Sequence, residues 1–317
     1  MRIVLITQGV SRLVVPLFNS GHEIVGVLES MPRNYDGSEK RFVLIDLLKI
    51  IYRMIKGRNY FLPEFCKNRG VSYNILWKNN ISGVKNWLRT LQPDLIVVFS
   101  MSQLLKEDIL KIPPLGVINL HPSYLPSYRG ANPDFWQYYD MEMNPGATVH
   151  YLDAGEDSGD IIFQERVHIP LGTKSPARLD KLIGELGVSL VLKAVDAIVQ
   201  GKAPRTSQTL QSPTDRSRNL KPEEHSRIID WENWPIERVW HVLRGTELWL
   251  DAIPQPAGLL AGQRWSIGDF EKTDMPQGEI GKIGEYKNRR CVYVKCGVIY
   301  IGIDFDIKKS IFKLIHK

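Results

Sequence analysis

The sequence predicts an α/β protein, with a doubly wound, mostly parallel sheet followed by a small β-rich domain. Three observations carry this reading. Residues 1–28 follow a strand, helix, strand pattern. Leu95-Ile96-Val97-Val98-Phe99 is an unbroken apolar run behind the turn pair Pro93-Asp94, as expected of a strand buried on both faces. Residues 255–305 break into short strand-like runs such as Val292-Tyr293-Val294 and Val298-Ile299-Tyr300-Ile301.

The elements follow in order. Ile3–Ile6 reads as a buried strand, and Gln8-Gly9-Val10-Ser11 turns the chain into a helix over 12–20. That helix carries Leu13, Val14, Leu17 and Phe18 at helical spacing, and Gly21 stops it. A second strand covers 23–28. The first turn lacks the G-x-G-x-x-G pattern, so no dinucleotide is expected there. Residues 41–56 read as a strongly apolar helix facing a core, a substrate or a second copy of the chain, which would make a homodimer. A short helix over 62–69, a strand over 71–76 and a helix over 79–91 come next, the last with Val84, Trp87, Leu88 and Leu91 on one face. After the 95–99 strand, a helix over 105–110 ends at Pro113-Pro114. Pro133 opens another helix, and strands at 148–153 and 161–167 bracket an acidic glycine loop. A long helix over 176–200 closes a first domain, 1–205. Residues 206–219, rich in Ser, Thr, Arg and Pro, read as a linker, and 220–317 as the small domain, which opens with a helix over 235–246. The lysines at 308–317 sit among apolar residues, in a terminal strand or short helix.

Composition narrows the classes. The chain has 317 residues, 43% hydrophobic and 24% charged, which suits a soluble globular protein of two domains. No run of about 18 apolar residues occurs, so no membrane span is expected. The N-terminal apolar run is short and has no cleavage site, and it reads as a strand rather than a leader. Cys66, Cys291 and Cys296 have neither metal spacing nor a disulfide framework, which suits a reducing cytoplasm. The net charge of +6 tolerates an anionic substrate without selecting one.

The chemistry concentrates in Ile118-Asn119-Leu120-His121-Pro122-Ser123-Tyr124-Leu125-Pro126-Ser127-Tyr128-Arg129-Gly130. Asn119 and His121 are two residues apart on a strand end, so both side chains leave one face. A carboxamide can donate to a developing oxyanion, and an imidazole can move a proton near neutral pH. Taken alone, such a pair more often satisfies a loop's own backbone. The segment Gly146-Ala147-Thr148-Val149-His150-Tyr151-Leu152-Asp153-Ala154-Gly155-Glu156-Asp157-Ser158-Gly159 changes the balance.

Together the two segments resemble the N10-formyltetrahydrofolate-dependent formyltransferases, which include methionyl-tRNA, glycinamide ribonucleotide and sugar N-formyltransferases. The shared pattern is N-x-H-P-S-x-L-P-x-x-R-G, then a T-V-H-x-x-D strand and a D-S-G loop, with Asp157 standing 36 residues after His121. The resemblance covers residues 1–205. It implies a Rossmann-like formyltransferase domain followed by an OB-like one. It implies a catalytic set of Asn119, His121 and Asp157, and N10-formyltetrahydrofolate as co-substrate with no metal. It places the folate against Met101, Ser102, Gln103 and Leu104, and against Asp153, Gly155 and Glu156. Transfer would be direct: the acceptor amine attacks the formyl carbon, and no covalent Ser123 intermediate is needed. His150, inside a strand, reads as a satisfied core histidine, and Arg129 as a loop anchor or a phosphate contact.

The acceptor is the open point. Arg129-Gly130-Ala131-Asn132-Pro133-Asp134-Phe135-Trp136 looks more like the sugar N-formyltransferases, which implies the amino group of a nucleotide-linked amino-deoxysugar. Ser123, Tyr128, Arg129, Asn132 and Trp136 would then touch substrate. The alternative acceptor is methionyl-tRNA, and the alternative of another class is a non-catalytic folate- or tRNA-binding module.

Overall fold

The computed structural model describes residues 1–33, 35, 61–274 and 278–303. The apolar helix expected at 41–56 and the terminal element at 308–317 lie outside the described residues. The described chain forms two compact units that interleave in sequence. The first comprises Met1–Gly130, Gly146–Val167 and Lys181–Arg216, and the second Ala131–Pro145, His168–Asp180 and Ser217–Lys317. The second unit thus takes 131–145 and 168–180 from within the stretch that the sequence assigns to one domain, and residues 206–216 join the first unit rather than bridging the two.

The first unit is built on seven strands: β1 Arg2–Thr7, β2 Glu23–Ser30, β3 Ser72–Leu76, β4 Leu95–Phe99, β5 Val117–His121, β6 Gly146–Tyr151 and β7 Ile161–Arg166. Their order is β3-β2-β1-β4-β5-β6-β7. The pairs from β3 to β5 are parallel, and β6 and β7 are antiparallel additions. This is the mostly parallel sheet that the sequence predicts. β1 and β4 sit at its centre with nearly every side chain buried, which is why their sequences are apolar without alternation. Leu5 is fully buried in β1. Leu5→Ala is expected to cost about 2–5 kcal/mol in urea unfolding, and a loss under about 0.5 kcal/mol would contradict the packing described.

The helices of this unit are α1 Val14–Phe18, α2 Leu62–Lys67, α3 Ile81–Leu91 and α4 Glu107–Leu110. α1 is shorter than the 12–20 expected from spacing: residues 11–13 form the entry turn, with the Val14 N–H donating to the Ser11 carbonyl. α3 buries Val84 and Leu88, and Gln92 closes it in a left-handed conformation. The long helix expected over 176–200 is not uniform. It begins as Ser175–Leu179, widens into π-turns over Asp180–Gly187 and returns to α over Val188–Val199. Gly187 lies within the π segment's last turn, where a Cβ would meet Leu120 at 3.0 Å. The missing side chain lets this helix press on the strand residue between Asn119 and His121.

The second unit carries a four-stranded antiparallel sheet, β8 Trp265–Lys272, β11 Gly297–Ile303, β10 Arg289–Val294 and β9 Ile283–Tyr286 in spatial order. The helix Ile236–Thr246 covers it through Val239 and Val242, which share a core with Trp265, Ile267, Val292 and Ile299. This is the small β-rich domain that the sequence predicts. The helix Pro133–Tyr139 belongs to the same unit: the Phe135 ring meets Trp249, and Tyr138 fills the space where Gly245 lacks a side chain. Arg178, buried here, pairs with Asp134 and lies against the Tyr138 ring. Among the described residues, no helix is long and apolar enough to cross a membrane.

Candidate active site

His121 is the last residue of β5, at the C-terminal ends of the parallel strands, where open α/β sheets place their ligands. Asn119 shares its face of the strand. The antiparallel neighbour β6 sets His150 directly opposite Asn119. The Asn119 Nδ2 lies 3.2 Å from the His150 Nε2, and the His150 Nδ1 lies 2.9 Å from the Tyr151 carbonyl. A carbonyl only accepts, so the His150 Nδ1–H donates to it, and Nε2 is the nitrogen turned to both the Asn119 amide and the Asp157 carboxylate. That fixes the carboxamide and leaves its second N–H for another acceptor.

His121 is held by the same logic on the opposite nitrogen. Its Nε2–H donates to the Tyr128 carbonyl at 2.9 Å, and its Nδ1 faces the Asp157 Oδ2 at 3.5 Å. Nδ1 is therefore the nitrogen left to exchange a proton, with a carboxylate beside it. The Asp157 Oδ1 lies 3.6 Å from the His150 Nε2, and the Gly130 N–H donates to Oδ2 at 2.9 Å. Burial pushes this carboxyl up, but His121, His150 and the Gly130 N–H outweigh burial and hold it well below the ordinary carboxylate range. One buried carboxylate thus serves two imidazoles, and the carboxamide hangs from the second of them.

The surrounding loops are shaped by their own polar groups. Asp153 accepts from the Gly155 N–H at 3.0 Å and from the Ser158 hydroxyl at 2.8 Å, so it closes the acidic loop on itself. A Cβ on Gly155 would stand 2.1 Å from the Ser158 Oγ, so a side chain there would displace the hydroxyl that Asp153 holds. Glu156 forms a two-pronged pair with Arg216. After β4, the Ser102 N–H donates to the Ser30 hydroxyl at 3.0 Å, and Gln103 bonds both Ser30 and the Met31 carbonyl. Those contacts pin residues 101–104 to the end of β2. Met101 packs against the core of the sheet, while Leu104 is 71% exposed. The result is a fixed polar backbone loop with one apolar side chain held outward, which suits a flat ring with hydrogen-bonding edges.

Comparison with known proteins gives the family of the stretch that carries these residues. The "Formyl transferase" family model matches residues 74–195, which holds Asn119, His121, His150 and Asp157. A methionyl-tRNA formyltransferase of Syntrophomonas wolfei is 34% identical over 236 residues, 73% of this chain and 68% of that protein. The chain belongs to the N10-formyltetrahydrofolate-dependent formyltransferase family. A second methionyl-tRNA formyltransferase, from Moorella thermoacetica, is 35% identical over 197 residues, and the match spans about three fifths of that protein's length. In three dimensions the chain is similar to HypX from Aquifex aeolicus, solved in complex with tetrahydrofolic acid, with a TM-score of 0.55 and 15% identity over 95% of this chain and 43% of that one. This last likeness concerns the fold alone.

Against that family frame, the residues expected to touch substrate divide. Ser123 is fully buried and gives its hydroxyl to the Ser127 carbonyl at 2.7 Å, so it offers no nucleophile. Tyr128 enters the site through its backbone carbonyl rather than its ring. Arg129 resolves as an anchor: it donates to the Gln208 Oε1 and to the Thr209 and Leu210 carbonyls. Asn132 and Trp136 belong to the second unit, where the Trp136 indole N–H donates to the Arg218 carbonyl at 2.7 Å and its ring packs on Phe135 and Tyr139. His150 is the residue that sequence reasoning left in the core. It is fully buried with both nitrogens engaged, as that reading expects, and it stands beside Asn119 and Asp157. Antiparallel pairing of its strand with the Asn119 strand was the signal that could have placed it.

Proposed function

We propose that this protein transfers a formyl group from N10-formyltetrahydrofolate to an amine, and that the amine is the aminoacyl nitrogen of methionyl-tRNA. The observation that carries the chemistry is the convergence of Asn119, His121 and Asp157, with His150 fixing the amide. The loops at 101–104 and 153–157 would hold the folate. As the amine adds to the formyl carbon, the carbonyl oxygen gains negative charge, which the free Asn119 N–H can stabilise. The new C–N bond forms to the amine and the bond to N10 breaks. The amine's surplus proton passes to the His121 and Asp157 pair, which returns a proton to the departing nitrogen. No residue of the chain needs to carry the formyl group.

The acceptor reading shifts from the one that the sequence favoured. Both relatives above are named methionyl-tRNA formyltransferases, which supports tRNA over a nucleotide-linked amino sugar. The sugar reading leaned on the Asn132–Trp136 stretch, and the Trp136 ring is committed to packing within its own unit. A competition assay tests this: formyl donor, charged initiator tRNA and a panel of amino-deoxysugar nucleotides at two salt concentrations. Formylation of the tRNA, weakening steeply with salt as released counterions demand, is the expected result. Transfer to a sugar amine alone would overturn the acceptor.

A further inference from the structure

Both partners of His121 are presented by left-handed residues that are not glycine. Tyr128, whose carbonyl takes the Nε2–H, has φ 59°, and Asp157, whose carboxylate faces Nδ1, has φ 51°. Such conformations persist where neighbouring groups over-determine them. The groups that do so here come largely from residues 206–216, which carry little apolar content and pack no core.

Thr206 forms a two-bond antiparallel bridge with Ile161, at 2.8 and 3.0 Å, which anchors the segment at the start of β7. The Gln208 Nε2 then donates to the Asp157 carbonyl at 3.0 Å and to the Gly159 carbonyl at 2.7 Å, spanning the turn that holds Asp157. The Gln208 Oε1 accepts from the Arg129 guanidinium at 2.8 Å. The residue after Arg129 is Gly130, whose N–H donates to the Asp157 carboxylate. Arg129, Gln208, Asp157 and Gly130 therefore close a ring of polar contacts joining the two loops. Further along, the Thr214 hydroxyl accepts the Tyr128 N–H at 2.7 Å, which fixes the peptide next to the carbonyl that His121 uses. Arg216 ends the segment on Glu156, the neighbour of Asp157.

We propose that residues 206–216 are a positioning strap for the His121–Asp157 pair, with Gln208 as its central positioning residue. The role rests on the formyl-transfer reading above. A primary amide suits this place because it offers one acceptor and two donors in a plane, to a cation on one side and two carbonyls on the other. A carboxylate of the same shape keeps the bond to Arg129 and turns an oxygen on both carbonyls.

The test compares Gln208→Leu and Gln208→Glu with wild type in the full chain. Two quantities are read: kcat and KM for the formyl donor across pH, and the carboxyl ¹³C titration of Asp157, assigned by its disappearance in Asp157→Asn. Groups that face this carboxyl are His121 and His150, with Arg216 nearby through Glu156. The expected result is a fall in kcat of about 10–100-fold with KM within about threefold, since small misplacements of reacting groups cost that much. With it, the Asp157 titration and the acid limb of kcat move to higher pH, because the carboxylate loses its hold on its partners. An unchanged Asp157 titration in either folded variant overturns the strap, whatever the rate does. Gln208→Glu keeps the side-chain shape and one of its bonds, so it serves where the leucine variant fails to fold. If wild-type protein moves no formyl group, the functional reading falls, and the titration still decides the strap.

Discussion

Alanine at position 121 is expected to lower formyl transfer about 10⁴-fold while leaving the circular dichroism spectrum intact. The imidazole sits between a carbonyl on Nε2 and a carboxylate beside Nδ1, so only Nδ1 is left to exchange a proton. General acid–base catalysis is worth about 10²–10⁴. The upper end applies because the same imidazole both takes the amine's proton and returns one to the departing nitrogen. The fold should survive because His121 is at a strand end, and its strand is held by the apolar residues Val117, Ile118 and Leu120. Transfer within about tenfold of wild type, measured as turnover of the formyl donor with a saturating acceptor, would sink the assignment of His121.

The second large effect belongs to Asp157→Asn. It is expected to reduce transfer about 10³-fold, since the amide can accept from Gly130 but cannot take up a proton. The same substitution carries a signature in stability. The Asp157 carboxyl is raised by burial and lowered more strongly by His121, His150 and the Gly130 N–H, so folding lowers it on balance from its ordinary value of 3.8. A group lowered on folding adds stability that is complete above its unfolded value and drains away as pH falls through and below it. Wild type should therefore exceed the variant in thermal stability at pH 6, and the gap should narrow between about pH 5 and pH 3. A gap that stays constant across that range would show that the carboxylate gains nothing from its neighbours in the folded state.

How legible the molecule is from its sequence depends on what holds each part together. β1 and β4 are legible because their buried faces leave an apolar signature in consecutive residues. Asn119, His121 and Asp157 are legible because the family resemblance rests on those residue types at that spacing, and the structure brings all three to one place. Tyr128 and Gly130 reach the site through backbone groups, on which a sequence pattern is silent. His150 is the buried, engaged histidine that its strand position predicts, while its partnership with Asn119 and Asp157 is visible only through the strand pairing. Residues 206–219 read as a linker since Ser, Thr, Gln and Arg dominate them. Within that stretch the Gln208 and Thr214 side chains bond to backbone carbonyls and a loop amide of the first unit, contacts that leave no apolar periodicity to read, while 217–219 belong to the second unit. The π-turns at Asp180–Gly187 were equally hidden, since their residues look like an ordinary amphipathic helix.

The interleaving of the two units also bears on how such a protein can be recombined. A crossover near residue 205, where the sequence suggests a clean joint, would take residues 131–145 and 168–180 from one parent and 217–303 from the other. Tyr138 would then have to fit against a foreign residue 245, where any side chain larger than glycine starts at 2.2 Å from its ring. Asp134 and Arg178 would travel together, but the Phe135 ring would meet whatever the second parent offers in place of Trp249. Descent by exchange of whole modules is therefore costly at that joint. Viable hybrids should carry the three pieces of the second unit as one inheritance, and selection on position 138 should be felt at position 245.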